Sequence, residues 1–179
     1  ALSNSEGWCD IMQNVLIVGG GVAGCTVARE LSEAGIRSVL IESAEKIGGK
    51  VRDYGCKADT KCNQCGVCLT GGLWESVEND DRISVRPGSR LLDLFPDSNG
   101  FSAYIKTGSS KSYAYETLPV SAVVMASGFS DYAEPVALPQ GGSPSPRLLN
   151  GASLEALLKN RTEDALFASP PKSVAFVLC

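Results

Sequence analysis

The sequence predicts an α/β fold with a parallel sheet, and three adjoining stretches predict it. Val15 to Val18 is a short, wholly apolar run, the composition of a parallel strand covered on both faces. It passes at once into Gly19-x-Gly21-x-x-Gly24. From Val22 to Ala34 apolar residues then recur at helical spacing (Val22, Val27, Leu31, Ala34), and Gly35 is placed to end that helix. Ile36 to Ile41 returns as a second strand, with Glu42 at its carboxyl end.

Each part of this order has a physical task. Gly19 lets the chain turn tightly, Gly21 lets backbone approach a pyrophosphate, and Gly24 lets the helix pack against the strand. Val22 and Ala23 open the helix, whose first N–H groups and positive dipole end face the phosphates. Glu42 lies eighteen residues past Gly24, the usual distance for a carboxylate that accepts hydrogen bonds from an adenosine ribose. Its charge would repel a 2′-phosphate, which argues against NADP. A glycine-rich turn in some other α/β unit would not need this whole company, so a Rossmann-type dinucleotide site is the reading.

Length and composition bound the rest. A chain of 179 residues suffices for one domain with a real core, or one domain carrying an insertion. Its apolar fraction of 44% is ordinary for a globular protein. A net charge of −4 and an isoelectric point near 4.9 argue against nucleic acid or an acidic membrane surface as main partner. No apolar run approaches the roughly 20 residues that a bilayer span needs, so no membrane insertion is expected. No basic-then-apolar leader stands before the first strand, which predicts a cytoplasmic protein. Histidine is absent. That excludes Ser-His and Cys-His catalysis, and histidine-ligated zinc, within this chain.

Residues 1–13 read as a lead-in segment in which Trp8 and Cys9 stand out without forming a pattern. Cys25 stands in the first turn of the helix, where a thiol's pKa can be lowered; a small apolar residue packed beneath the glycine loop is the plainer reading. After Glu42 the chain reads Ser43-Ala-Glu-Lys-Ile-Gly48-Gly49-Lys50. A glycine pair there lets a second loop approach the same cofactor, with Lys50 near the phosphates. This arrangement is more usual for FAD than for NAD.

The loop 54–72 follows. Of seven cysteines, Cys56, Cys62, Cys65 and Cys68 fall within thirteen residues, spaced C-x5-C-x2-C-x2-C. Successive C-x2-C steps let the thiolates of one tight loop converge on neighbouring metal atoms, and Gly66 relieves the backbone between ligands. Thiolates are the standard iron–sulfur ligands, and the C-x2-C-x2-C core is shared with ferredoxin-type loops. The ligand ahead of that core, and the missing proline after it, depart from the ferredoxin pattern. A four-cysteine zinc knot and redox disulfides stay open as alternatives.

Residues 70–118 read as β-rich, with a β-meander insertion over about 82–118. Ile83–Val85, Arg90–Phe95, Phe101–Lys106 and Ser112–Leu118 are its strand candidates. Pro87-Gly88, Pro96–Gly100 and a turn at Gly108 separate them. Val120 to Met125 is another buried strand, closing on Ala126-Ser127-Gly128, where small residues let backbone approach a ligand. Residues 129–150, with four prolines and a glycine pair, read as a connector. Ser153 to Asn160 reads as a short helix with Ser153 as N-cap and Leu154, Leu157 and Leu158 on one face. Ser173 to Cys179 reads as a last apolar strand. A chain ending inside a strand predicts a fragment of a longer protein, truncated at its carboxyl end.

Taken together, Val15–Gly24, the run from Ile41 to Lys50 and a cysteine-rich loop soon after resemble the flavin-carrying A subunit of heterodisulfide reductase. Val123–Tyr132, Ser153–Leu158 and the closing Val174–Cys179 fit that family too. The resemblance implies an FAD-binding Rossmann-type domain of the two-dinucleotide-binding flavoprotein kind, spanning residues 14–179. It implies FAD, an adjacent iron–sulfur cluster of 4Fe-4S type, and electron traffic with other redox subunits, a homodimer being an allowed assembly. By position, Gly19, Gly21, Val22, Ala23, Gly24, Glu42, Ser43, Gly48, Gly49, Lys50, Ala126, Ser127 and Gly128 would contact FAD. Leu91 would offer backbone to the adenine. Cys56, Cys62, Cys65 and Cys68 would hold the cluster. No side chain stands out as a catalytic acid or base. The competing readings are a pyridine-nucleotide-dependent flavin oxidoreductase with a structural zinc site, and a non-catalytic FAD-binding scaffold.

Overall fold

The structure is a computed structural model that describes residues 14–58, 60–109, 112–129, 148–160 and 171–176. The lead-in segment with Cys9, most of the proline-rich connector and Cys179 lie outside the described residues. The chain separates into two compact units, one from Ala1–Arg52 and Cys68–Phe129, the other from Asp53–Val67 and Ser130–Cys179.

The first unit is built on a parallel sheet. Its strands are β1 (Val15–Val18), β2 (Ser38–Ile41), β3 (Ile83–Arg86) and β7 (Ala122–Met125), in the order β3-β2-β1-β7. Helix α1 (Val22–Glu33) connects β1 to β2, and α2 (Thr70–Glu78) precedes β3. The chain leaves β1 toward β2 on one side and returns as β7 on the other. The strand order therefore reverses at β1, the place where open α/β sheets hold ligands.

Why β1 is apolar throughout is plain from its two faces. Val15 and Ile17 pack with Cys25 and Ala28 of α1, Leu40 of β2, Val77 of α2 and Ile83 of β3. Leu16 faces the other way, with Val39 and Ile41, onto Ala103, Ile105 and Val120. Those last residues belong to an antiparallel meander of β4 (Ser89–Asp97), β5 (Gly100–Ser109) and β6 (Ser112–Val120). Alternation of period two thus supplies two apolar layers from one strand.

Helix α1 differs from its predicted face. Its buried residues are Gly24, Cys25, Ala28 and Ser32, while Val22 and Ala34 are exposed. Val27 and Leu31 pack at the margin of that layer. Small residues occupy the contact because the helix lies close to the sheet. Its end matches expectation: the Ile36 amide donates to the Leu31 carbonyl at 2.8 Å and the Gly35 amide to Ser32 at 2.9 Å. Gly35 sits at φ +79, which completes a Schellman motif.

Three further corrections follow from packing. Helix α2 stands where the sequence reads as β-rich; Gly71-Gly72 masks the helical spacing of Leu73, Trp74 and Val77, which dock on the α1 layer. Ile83–Val85 pairs with β2 in the parallel sheet and is not part of the meander. Ser173 to Phe176 has no regular structure and is exposed, since nothing among the described residues pairs with it.

The second unit contains α3 (Gly151–Lys159). Its cap is Asn150, whose Oδ1 accepts from the Ser153 amide at 2.8 Å, so Ser153 stands at the third helical position rather than at the cap. No helix among the described residues is long and apolar enough to cross a membrane.

Candidate functional site

Three loops of the first unit meet at the carboxyl end of β1. The first is the glycine turn 19–24. Gly19 has φ +111, and a Cβ there would collide with the carbonyl of Ala126. The Ala126 amide in turn donates to Val18 at 2.8 Å, so β7 delivers Ala126 against this turn. Gly24 is equally constrained, because a Cβ would strike the Gly19 carbonyl. Gly21 is the opposite case. Nothing lies within 4 Å of where its Cβ would stand, and it begins α1 with extended backbone. Two glycines are filled against protein, and the third borders open space. That is the division expected of a turn whose middle faces a ligand.

The second loop is 42–50. The Gly20 amide donates to Glu42 Oε2 at 2.8 Å, while Oε1 accepts from Ser43 Oγ at 3.0 Å and the Ala44 amide at 2.8 Å. A carboxylate has about four lone-pair sites, so Oε2 retains one for a further donor such as a ribose hydroxyl. The Gly48 amide donates to the Gly20 carbonyl at 2.6 Å. A Cβ on Gly49 would come within 3.0 Å of Gly21 Cα. The second glycine pair therefore lies directly on the first.

The third loop is Ala126-Ser127-Gly128, irregular after β7, with Ser127 and Gly128 exposed. Val22 and Ala23 are exposed in the first turn of α1, where an α-helix leaves its amides without helical acceptors. Lys50 Nζ stands 4.9 Å from the ring centre of Phe129, the residue that follows this third loop. Leu91 stands on β4, its side chain packed in the meander layer.

Sequence reasoning missed several residues here. Ile47, fully buried, closes over Gly20, where a Cβ would approach its Cγ2 to 2.8 Å. An apolar residue amid the polar run 43–50 was the available signal. Trp74 backs Gly48 and carries Arg52 5.6 Å from its ring centre. Beside the Glu42 loop runs an open groove of about 590 Å³, lined by Ser43, Glu45, Gly88, Arg90 and Lys106 among others.

Cys25 is fully buried and its Sγ donates to the Gly20 carbonyl at 3.3 Å. Burial, aided by the negative charges of Glu42 and Glu78, pushes its thiol up to about 11. It is a packing residue, not a reactive thiolate.

The cysteine loop is different in kind. Cys56, Cys62, Cys65 and Cys68 are exposed and not disulfide-bonded. Among the described residues no three Cys, Asp or Glu side chains are gathered into a cation site. Two sulfurs already accept backbone amides two residues on: Ala58 to Cys56 and Gln64 to Cys62, each at 3.4 Å. Gln64 and Gly66, with positive φ, flank Cys65.

Comparison with known proteins agrees with the first unit's architecture. The family described as NAD(P)-binding Rossmann-like domain matches residues 17–67. The A subunit of ferredoxin:CoB-CoM heterodisulfide reductase from Methanosarcina acetivorans is 28% identical over 99 residues, 54% of this chain and 12% of that protein. Its counterpart from Methanosarcina mazei is 35% identical over 82 residues, 46% of this chain and 10% of that one. The chain thus spans about a tenth of the length of these relatives. Among solved structures, L-proline dehydrogenase from P. horikoshii superposes with a TM-score of 0.48 at 22% identity, over 66% of this chain and 23% of that one. The first unit holds a Rossmann-type parallel-sheet fold, and over about half its length the chain resembles the A subunit of heterodisulfide reductase.

Proposed function

We propose that this chain is the FAD-binding portion of an electron-transfer oxidoreductase that also carries a cysteine-ligated iron–sulfur cluster and works with partner redox subunits. The observation that carries the flavin part is the cradle itself. Gly19 and Gly24 are closed against backbone while Gly21 opens onto empty space at the head of α1.

The chain's own residues have separable tasks. The amides of Val22, Ala23 and Gly24 would hold a pyrophosphate, and Glu42 would hold the ribose while disfavouring a 2′-phosphate. Gly49, lying on Gly21, would bring backbone to the same dinucleotide. Ser127 and Gly128, exposed beyond β7, would meet it from the other side of the switch point. Bound FAD would supply the exchange of electron pairs for single electrons; the protein places it and tunes its potential.

For the cluster, the donor set fits. Cys56, Cys62, Cys65 and Cys68 offer four soft ligands on one short loop, and two of the sulfurs already receive amide hydrogen bonds of the kind that tune cluster potentials. A site built of thiolates takes its final geometry when the metal binds. The resemblance to the A subunits of these reductases supports partner redox subunits.

Anaerobic purification of the full chain, with flavin, iron, sulfide and zinc quantified, tests this reading. Flavin together with iron and sulfide is the expected result. Colourless protein that stays so after reconstitution would overturn it. Flavin with zinc alone would replace the cluster by a structural zinc site.

A further inference from the structure

The most constrained part of the cysteine loop is its beginning, and the constraint comes from a helix about a hundred residues away in sequence. Glu155, on α3, accepts through Oε2 from the Gly55 amide at 3.2 Å and from Lys57 Nζ. One carboxylate oxygen thereby ties down the residues on both sides of Cys56. Lys57 Nζ also donates to the Gly55 carbonyl at 3.0 Å and stands 5.2 Å from the ring centre of Tyr54. The carboxylate and ammonium are partly buried, at 23% and 31% exposure, so solvent screens them less than a surface pair.

A second observation is independent of that carboxylate. Gly55 is buried, and a Cβ there would come within 2.5 Å of the backbone of Leu158 and Lys159. Helix α3 therefore lies on the chain just before Cys56 at a distance only glycine permits. Asp53, two residues earlier, pairs with Lys159 at 3.6 Å. Contacts from residues 53, 55 and 57 to α3 fix the backbone that carries this thiol.

We propose that Glu155 is the positioning residue for Cys56, holding the first cysteine of the loop in place before any metal arrives. This rests on reading Cys56 as a metal ligand. Its physical content is preorganisation. A loop fixed at one ligand has less conformational freedom to lose on closing around metal. Cys62 and Cys65 stand on a segment whose described bonds stay within the loop, such as Asn63 Nδ2 to the Lys57 carbonyl at 2.8 Å, so the loop would close from Cys56 onward. The acceptor's reach, rather than its charge, carries the role, because its shared oxygen bonds a neutral amide as well as a cation.

Two variants separate reach from charge. Glu155→Gln keeps the length and the acceptor, whereas Glu155→Asp keeps the charge and withdraws the oxygen by one methylene. Amide hydrogen exchange on the full chain, metal-free and reduced, reads the tether directly at residues 53–58. The β1 amides of Leu16 and Ile17 serve as the internal control for folding. Glu155→Asp is expected to speed exchange at Gly55 about tenfold, the loss of one charge-assisted hydrogen bond. Glu155→Gln should stay within about threefold of the parent. After anaerobic loading with iron and sulfide, a chelator should strip iron several-fold faster from Glu155→Asp than from Glu155→Gln. Exchange at 53–58 that neither variant moves, or that both move equally, would overturn the proposal. Parent protein that takes up no iron or sulfide would sink the cluster reading instead, and the exchange comparison would still decide the tether.

Discussion

The glycine cradle and the cysteine loop are two answers to one problem, how a chain holds something that is not protein. In the cradle the contacts belong to backbone: Gly19 against Ala126, Gly24 against Gly19, Gly48 and Gly49 against Gly20 and Gly21. Folding alone builds it. In the loop the donors are side chains, four exposed thiols not gathered among the described residues into a site. A site made of backbone must exist before its ligand, while one made of thiolates is finished by its ligand.

The sharpest way to break this comparison is inside the cradle. Gly24→Val places a side chain into the Gly19 carbonyl, where backbone cannot yield cheaply. We expect a loss of about 3 kcal/mol or more in denaturant unfolding without flavin, together with loss of flavin. In Gly21→Val the new Cβ meets no atom within 4 Å. Its stability should fall by about 1 kcal/mol at most, the scale of an altered N-cap, yet flavin retention should be abolished. Equal destabilisation by both would mean that the cradle is not prebuilt.

Alkaline pH gives the next largest effect. Cys25 lies beneath the cradle, its thiol raised from 9.0 to about 11 by burial first and nearby carboxylates second. A raised folded pKa means the folded state prefers the protonated thiol. That contribution is complete below about pH 9 and is lost as pH climbs through the folded value, by up to about 3 kcal/mol. Urea unfolding at about pH 8 and about pH 11 should therefore show a steeper loss for the parent than for Cys25→Ala. Matching slopes would remove Cys25 from the core.

What was legible in the sequence divides along the same line. The order strand, Gly-x-Gly-x-x-Gly, helix, strand fixes backbone geometry locally, so β1, α1, β2 and the close packing at Gly19 and Gly24 could be read directly. The helix face could not. Apolar spacing picks Val22 and Ala34, whereas closeness to the sheet selects Gly24, Cys25 and Ala28, a choice made by tertiary packing. Helix α2 hid behind Gly71-Gly72 because Val77 is held by partners distant in sequence. The contact of the Lys50 ammonium with the Phe129 ring is signalled by no local pattern. The tether from Glu155 to residues 55 and 57 spans 100 and 98 positions and was invisible for the same reason.

A smaller effect tests that tether from its far end. Asn150 caps α3 through its side-chain oxygen to the Ser153 amide. Asn150→Ala should cost about 1 kcal/mol of local stability and Asn150→Gly only a few tenths, read as exchange of the α3 amides. If α3 holds the Cys56 end, exchange at residues 53–58 should rise in step with α3 in the alanine variant. A change confined to α3 would mean that the two segments open separately.

The smallest effect is the most telling for the loop. Cys62 and Cys65 are exposed, with no packing to lose, so Cys62→Ser or Cys65→Ser should leave metal-free stability within about 0.5 kcal/mol. Once metal is present the same substitutions should matter, because a ligand bound only by the folded form stabilises it by mass action, about 2.7 kcal/mol at a hundredfold excess over Kd. Thermal unfolding of parent and variants, with and without loaded iron and sulfide, reads this difference. The serine variants should lose the metal-dependent increment and keep everything else. A serine variant that unfolds early without metal would show that these thiols already hold the fold together, and the contrast with the cradle would vanish.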